Sequence, residues 1–174
     1  MKKLNQIFSR WKNIYFIYLI GFVVGIFTGI YYFEGKVNTF NPENVSYIEV
    51  FVNNLNVGSL LLIGGLITGG TLSLFLIMAN GCIVGNIIFI AISNGNIKSL
   101  LTGLLPHFFF ELIGLFSFAV VGTFTGYIFF KFLTKKIHTV NFSQLMTDGL
   151  WLIAISIVSL FLGAVIEDFI SHVY

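Results

Sequence analysis

The chain has 174 residues, of which 57% are hydrophobic and only 9% are Asp, Glu, Lys or Arg. So few charges cannot cover the surface of a soluble domain, and a net charge of +2 excludes the basic surface that binds nucleic acid. A bilayer core of about 30 Å is crossed by about 20 apolar residues. We therefore expect an all-α, polytopic integral membrane helical bundle of about five transmembrane helices, in contact with lipid, with residues 1–174 forming a single membrane domain.

The N-terminal segment, residues 1–13, places apolar residues at helical spacing between basic ones. This pattern predicts a short amphipathic helix in the membrane interface, and the alternative is an unstructured basic tail. The first transmembrane helix is predicted over 14–33. It contains Gly21, Gly25 and Gly29 on one face, where a neighbouring helix of the same chain can approach closely.

A polar stretch follows at 34–46, with a proline-containing turn at 41–43. The apolar residues between 48 and 55 recur at helical spacing. They predict a second interfacial helix that ends at Asn53-Asn54.

From residue 57 to 92 the chain is almost continuously apolar, which is too long for one untilted span. Two breaks are available, Gly69-Gly70 and Asn80-Gly81. We predict a broken-helix hairpin with transmembrane helices at 57–71 and 72–93, one of them short. Loose backbone at such a break is tolerated where protein or a water-lined cavity satisfies it.

The C-terminal half predicts two further transmembrane helices. After a polar loop at 93–98, Pro106 suits the first turn of a helix over 106–132, because its missing N–H would be unpaired there anyway. A connector with an amphipathic patch is predicted over 134–149. The last helix is predicted over 150–170.

Orientation follows from the basic residues, which concentrate on the cytoplasmic side of membrane proteins. Five crossings with a cytoplasmic N-terminus place only Lys36 and Lys98 outside. The basic residues then on the cytoplasmic side are Lys2, Lys3, Arg10, Lys12, Lys131, Lys135 and Lys136. The pattern predicts a multi-pass membrane protein with its N-terminus in the cytoplasm.

Four ionisable residues fall within predicted transmembrane helices: His107, Glu111, Glu167 and Asp168. A charge at the centre of such a helix costs on the order of 2.5–3.5 kcal/mol, so these residues are expected to be paired, neutralised or functional. His107 and Glu111 are four residues apart and share one helix face.

The predicted topology brings Glu167 and the amides of Asn53 and Asn54 to the same membrane layer as His107 and Glu111, with Asn80 deeper. Three hypotheses remain open. The polar cluster holds a divalent metal such as zinc, moves protons or cations, or locks two helices by hydrogen bonds. The sequence contains no phosphate-binding loop, serine-hydrolase motif, HExxH motif or Cys/His cluster that would indicate another chemistry.

The same residues resemble the stage II sporulation protein M family of small bacterial membrane proteins. The matching pieces, in chain order, are Asn53-Asn54, Gly65 and Gly69, Asn80-Gly81 with Gly85, Pro106-His107 with Glu111, and Glu167. The chain departs from the family pattern at Phe108, where a glycine is usual, and at Leu112-Ile113, where Leu-Pro is usual.

The resemblance implies a subunit of a membrane complex. The sporulation member works in peptidoglycan remodelling. Similar short proteins occur in gene clusters for circular bacteriocins, beside ATP-binding transporter subunits, and are linked to maturation, secretion or self-immunity. The length of this chain is similar to that second group, so we expect a membrane subunit that matures, exports or confers resistance to a bacteriocin-type peptide. The alternatives are an intramembrane metal-dependent hydrolase or peptide ligase using His107, Glu111 and Glu167, and a scaffold of a cell-envelope complex.

Overall fold

The computed structural model describes residues 2–33, 46–95 and 97–171, and the regular elements within them are helices. They are α1 (Lys2–Phe33), α2 (Tyr47–Thr68), α3 (Thr71–Ser93), α4 (Ile97–Ser99), a π-helical segment (Leu100–Leu104), α5 (Leu105–Gly122), α6 (Phe124–Leu133), a 3₁₀ turn (Ile137–Thr139) and α7 (Phe142–Ser171). Five spans are long and apolar enough to cross a membrane: α1, α2, α3, α5 together with α6, and α7. The expected all-α bundle with five membrane helices is confirmed.

The hairpin between α2 and α3 turns at Gly69-Gly70, the first of the two expected breaks. Both glycines have positive φ, 67° and 98°, a conformation that side chains rarely adopt. A Cβ on Gly70 would also collide with the side chain of Thr123 at the break between α5 and α6. The turn therefore needs glycine for both its conformation and its packing.

The two hairpin helices are both full-length, with 22 and 23 residues, although one was expected to be short. The reason is that α2 begins well before residue 57. Ser46 and Glu49 form a capping box. The side chain of Ser46 accepts from backbone N–H groups of the first turn, and the side chain of Glu49 accepts from the backbone N–H of Ser46. The expected interfacial helix ending at Asn53-Asn54 is thus the beginning of α2, and both amides lie inside a membrane helix.

The segment 2–13 is not a separate helix but the first part of α1, which runs unbroken for 32 residues. Ile7 and Trp11 on this part are 0% and 7% exposed, because they pack into the core of the bundle. Trp11 stacks on Phe124 of α6 with 4.7 Å between ring centroids. This packing explains why the helix continues across the predicted boundary at residues 13–14. That the segment 2–13 lies in the membrane interface stays a prediction.

The helices α5 and α7 also begin earlier than predicted. The Oδ1 atom of Asn141 accepts a hydrogen bond from the backbone N–H of Gln144 at 3.0 Å, so α7 begins at Phe142 and the 134–149 connector shortens. Residues 97–104 are already helical before Pro106, and the loop expected at 93–98 is reduced to a turn after α3. The predicted loop at 34–46 lies outside the described residues except for Ser46.

The helix α5 is central, and every residue from Gly114 to Gly122 is buried. The helices α1 and α3 pack through glycines, since a Cβ on Gly25 or Gly85 would collide with backbone of the facing helix. The glycine face of α1 thus contacts a helix of the same chain, as the sequence favours. Because α2 and α5 run parallel and α7 runs against them, the beginnings of α2 and α5 meet the end of α7.

Candidate metal centre

The three predicted site residues come from two helices that pack closely. His107 and Glu111 occupy successive turns at the beginning of α5, and Glu167 lies near the end of α7. Gly163, one turn before Glu167, allows this approach, because a Cβ there would lie 3.0 Å from Cγ of Glu111 and 3.4 Å from the carbonyl oxygen of His107.

The side chains of these residues converge. One ligand atom from each of His107, Glu111 and Glu167 lies within 4.8 Å of the others. The Nε2 atom of His107 is 3.9 Å from Oε2 of Glu167. From α2, Asn54 donates a hydrogen bond through Nδ2 to Oε1 of Glu111 at 2.5 Å, which orients that carboxylate.

The three residues line a cleft of about 430 Å³, which we call the His107 cleft. Its lining residues are Glu49, Val50, Asn53, Asn54, His107, Glu111 and Glu167. His107 is buried, Glu111 and Glu167 are partly buried, and Glu49 and Asn53 are exposed at the rim. Solvent exposure therefore increases across the cleft, from the buried imidazole of His107 to the exposed carboxylate of Glu49.

The whole span that builds this cleft matches a known family. The family described as Stage II sporulation protein M matches residues 14–172. This chain belongs to that family. Membership agrees with a multi-pass membrane protein. The matched range includes all the residues that line the cleft. No curated protein and no solved structure matches the chain.

In this stage II sporulation protein M family member, some of the polar residues singled out in the sequence line the cleft and others do not. Asn53 and Asn54 both line the cleft, but Asn80 does not, since its Nδ2 atom donates to the backbone oxygen of Leu76 within α3 at 2.9 Å. Asp168 is likewise absent from the lining. Sequence reasoning missed Glu49, which the Ser-x-x-Glu capping signature could have revealed by placing it on the first turn of α2.

Sequence reasoning also missed a second polar cluster, formed by Arg10, Trp11 and Asp148, which we call the Asp148 cluster. Asp148 is 2% exposed and accepts hydrogen bonds from Nε of Arg10 at 2.8 Å and Nε1 of Trp11 at 3.0 Å. A second nitrogen of Arg10 reaches the other carboxylate oxygen, so the ion pair is bidentate. The signal in the sequence is Asn141, whose capping role places Asp148 inside α7.

The donor set of the His107 cleft fits a divalent metal. Zinc takes imidazole nitrogen and carboxylate oxygen, and a catalytic site supplies three protein ligands and keeps a fourth position open. His107, Glu111 and Glu167 supply that set, and the cleft leaves room beside them. Two carboxylates so close together repel when both are ionised, and a cation between them removes that repulsion.

Proposed function

We propose that this chain is the membrane subunit of a peptide-handling machinery, and that it matures the peptide at a divalent metal, such as zinc, held by His107, Glu111 and Glu167. The observation that carries the proposal is the convergence of these three ligand atoms within 4.8 Å beside an open cleft. The family resemblance supports a bacteriocin-type peptide as the substrate class. A metal bound there would polarise a peptide carbonyl and lower the pKa of a bound water.

The residues of the chain have separate tasks in this proposal. His107 and Glu167 would hold the metal between α5 and α7. Asn54 holds one oxygen of Glu111, so that the other oxygen is available to the metal or to a water. In hydrolysis, the oxygen of water joins the carbonyl carbon, the C–N bond breaks, and a proton passes to the leaving nitrogen.

The experiment is metal analysis of the purified protein in detergent, after stripping and reloading with zinc. We expect one bound zinc for each wild-type chain. His107→Ala, Glu111→Gln and Glu167→Gln should each weaken zinc binding by more than about a hundredfold, which exceeds the usual effect of residues that only hold a metal ligand. Asp168→Asn is the matched control, because it removes a neighbouring carboxylate that does not line the cleft. Equal zinc binding by wild type and Glu111→Gln would overturn the metal site.

Activity separates maturation from the other roles of such a subunit. In cells that make the peptide, Glu111→Gln should stop maturation while the protein still inserts and accumulates normally. Full function of Glu111→Gln would exclude the metal and proton hypotheses together and assign the chain to export, resistance or scaffolding, with the cluster as a helix lock.

The proposed orientation puts the His107 cleft on the outer side of a bacterial cell membrane and the N-terminus in the cytoplasm, on the basis of the basic residues. Single cysteines test it in a Cys82→Ala background, since Cys82 is the only cysteine. An impermeant thiol reagent outside intact cells should label Ile48→Cys, which is exposed at the beginning of α2, and not Lys136→Cys. The reverse pattern would invert the topology.

Energy for export must come from another chain, because the sequence contains no nucleotide-binding loop. We propose that Lys131, Lys135 and Lys136, around the end of α6, dock an ATP-binding transporter subunit. Changing all three to Gln should lower recovery of that subunit in a pull-down, and Lys98→Gln, an exposed lysine in α4, should not. Unchanged recovery with the triple variant would remove this docking site.

A further inference from the structure

The charges lining the His107 cleft are unbalanced. Among the seven lining residues that the structure describes, Glu49, Glu111 and Glu167 carry carboxylates, and none is Lys or Arg. If the proposed function holds, a divalent metal balances Glu111 and Glu167, and the negative charge of Glu49 remains. A ligand that fills this cleft is therefore expected to bring a positive charge to the rim.

The carboxylate of Glu49 is oriented by a capping hydrogen bond. Its Oε2 atom accepts a hydrogen bond from the backbone N–H of Ser46 at 3.1 Å, which holds the side chain over the first turn of α2. A carboxylate has two oxygens and about four acceptor sites, so the cap leaves acceptor capacity for a ligand. Glu49 is also outside the group of three metal-type residues.

Asn53 lies one helical turn beyond Glu49 on the same face of α2, about 6 Å further along the axis. Its side-chain amide is exposed at the cleft and offers one acceptor and two donors, which match the C=O and N–H of a peptide unit. An extended peptide advances about 3.3–3.6 Å per residue, so about two residues cover the distance between the two side chains. The next residue of α2, Asn54, holds Glu111.

We propose that the His107 cleft binds a peptide by a primary ammonium, which pairs with Glu49, while the backbone of the peptide pairs with Asn53. The chain of the peptide then extends inward, toward His107, Glu111 and Glu167. The ammonium is the amino terminus of the peptide or a lysine side chain near it. This inference rests on the proposed function for its direction, because it places peptide bonds within reach of the metal-type residues.

The probe is an apolar pentapeptide, Gly-Leu-Val-Phe-Ala, with a fluorescent label at its C-terminus, and binding is followed by anisotropy with the full-length protein in detergent. We expect N-acetylation of the probe to weaken binding to the zinc-loaded wild type by at least about tenfold, because it removes a charge-assisted hydrogen bond. An N-acetylated probe with lysine as its first residue is the third ligand. If it binds like the free amine, a lysine side chain serves as well as the amino terminus, and if it binds like the acetylated probe, the site requires the amino terminus.

The matched variant is Glu49→Gln, because glutamine also completes a capping box and preserves the beginning of α2 while removing the charge. It should bind the free-amine probe as weakly as wild type binds the acetylated probe, with unchanged zinc content. Asn53→Ala should weaken the free and acetylated probes by the same factor, because it contacts the backbone in both.

The outcomes separate this inference from the proposed function. If wild type binds zinc but binds free and acetylated probes equally, or binds neither, the ammonium site is overturned and the metal site stands. Loss of a second zinc in Glu49→Gln would also overturn it, because Glu49 would then be a metal ligand. If wild type binds no zinc, the metal site fails, and a preference for the free amine that Glu49→Gln removes would still support the ammonium site.

Discussion

The Asp148 cluster and the His107 cleft both place charged side chains on membrane helices, near opposite ends of α7, yet their chemistry differs. In the Asp148 cluster one buried carboxylate meets a guanidinium and an indole N–H, so acceptors and donors match. In the His107 cleft two carboxylates and an imidazole converge, and Asn54 donates a hydrogen bond to one oxygen of Glu111.

The difference indicates how charge inside a membrane protein serves two purposes. A matched pair satisfies itself and fixes α1 against α7, which is a structural role. Two carboxylates that converge beside a cavity repel each other, which lowers the stability of the folded protein until a cation binds, and this is typical of a functional site. The two clusters should therefore respond in opposite ways to the same kind of substitution.

The largest effect is expected for Asp148→Ala, which leaves Arg10 and the indole of Trp11 without their acceptor. The indole N–H of Trp11 is buried and Arg10 is partly exposed, so we expect a loss of about 3 kcal/mol of unfolding free energy. Thermal or denaturant unfolding in detergent measures it. Lys12→Ala on an exposed position of α1 is the control and should change stability by less than about 0.5 kcal/mol. An equally small effect for Asp148→Ala would show that the Asp148 cluster does not stabilise the fold, and its contrast with the His107 cleft would be lost.

The next effect is stabilisation by metal, which only the His107 cleft should show. At a free zinc concentration of about 100 times the dissociation constant, binding raises the unfolding free energy by about 2.7 kcal/mol. Glu111→Gln should lose this increase and Asp168→Asn should keep it. Zinc stabilisation of equal size in Glu111→Gln would mean that the ion binds elsewhere.

A smaller effect is expected for Asn54→Ala, which removes the hydrogen bond that orients Glu111. Residues that hold metal ligands typically alter affinity by about 10–100-fold, and we expect the lower end, about tenfold weaker zinc binding. Asn80→Ala is the matched control, because that amide bonds only to Leu76 among the contacts described for it. Competition with a zinc chelator measures both, and equal affinities would show that Asn54 has no role in the site.

The smallest effect has the opposite sign. In metal-free protein, Glu167→Gln should raise the unfolding free energy by about 0.5–1 kcal/mol, because it removes repulsion between two carboxylates. Asp148→Asn should lower it, because it weakens a charge-assisted pair. Destabilisation by Glu167→Gln in metal-free protein would indicate that the cleft, too, is a satisfied lock.

The sequence predicts the hairpin turn and the three converging residues because their signals are local or topological. Two successive glycines interrupt an apolar run, and the alternation of membrane helices brings the beginning of α5 to the end of α7. The beginnings of α1, α2 and α7 could not be predicted from the apolar runs, because polar residues near the beginning of each helix are typical of loops. Arg10, Asn54 and Asp148 are accommodated by contacts from distant parts of the chain.

Asp148 illustrates the limit. As a lone acid near basic residues it resembles a loop residue, and its burial is explained by Arg10 and Trp11, which lie 138 and 137 positions earlier. Ser46 and Asn141 carry the missing information locally, as caps that begin α2 and α7. Reading caps before hydrophobicity would extend both helices and bring Glu49 and Asp148 into view.

The long separation of Arg10 from Asp148 has a consequence for synthesis in the cell. At about 5–20 residues per second, a ribosome needs about 7 to 28 s to add the 138 residues between them. During that interval the first helix is made while the acceptor for its guanidinium does not yet exist. Arg10 is exposed even in the folded protein, so water or lipid headgroups can solvate it during that interval. The contact that fixes α1 against α7 can therefore form only after Asp148 has been made, long after α1 itself.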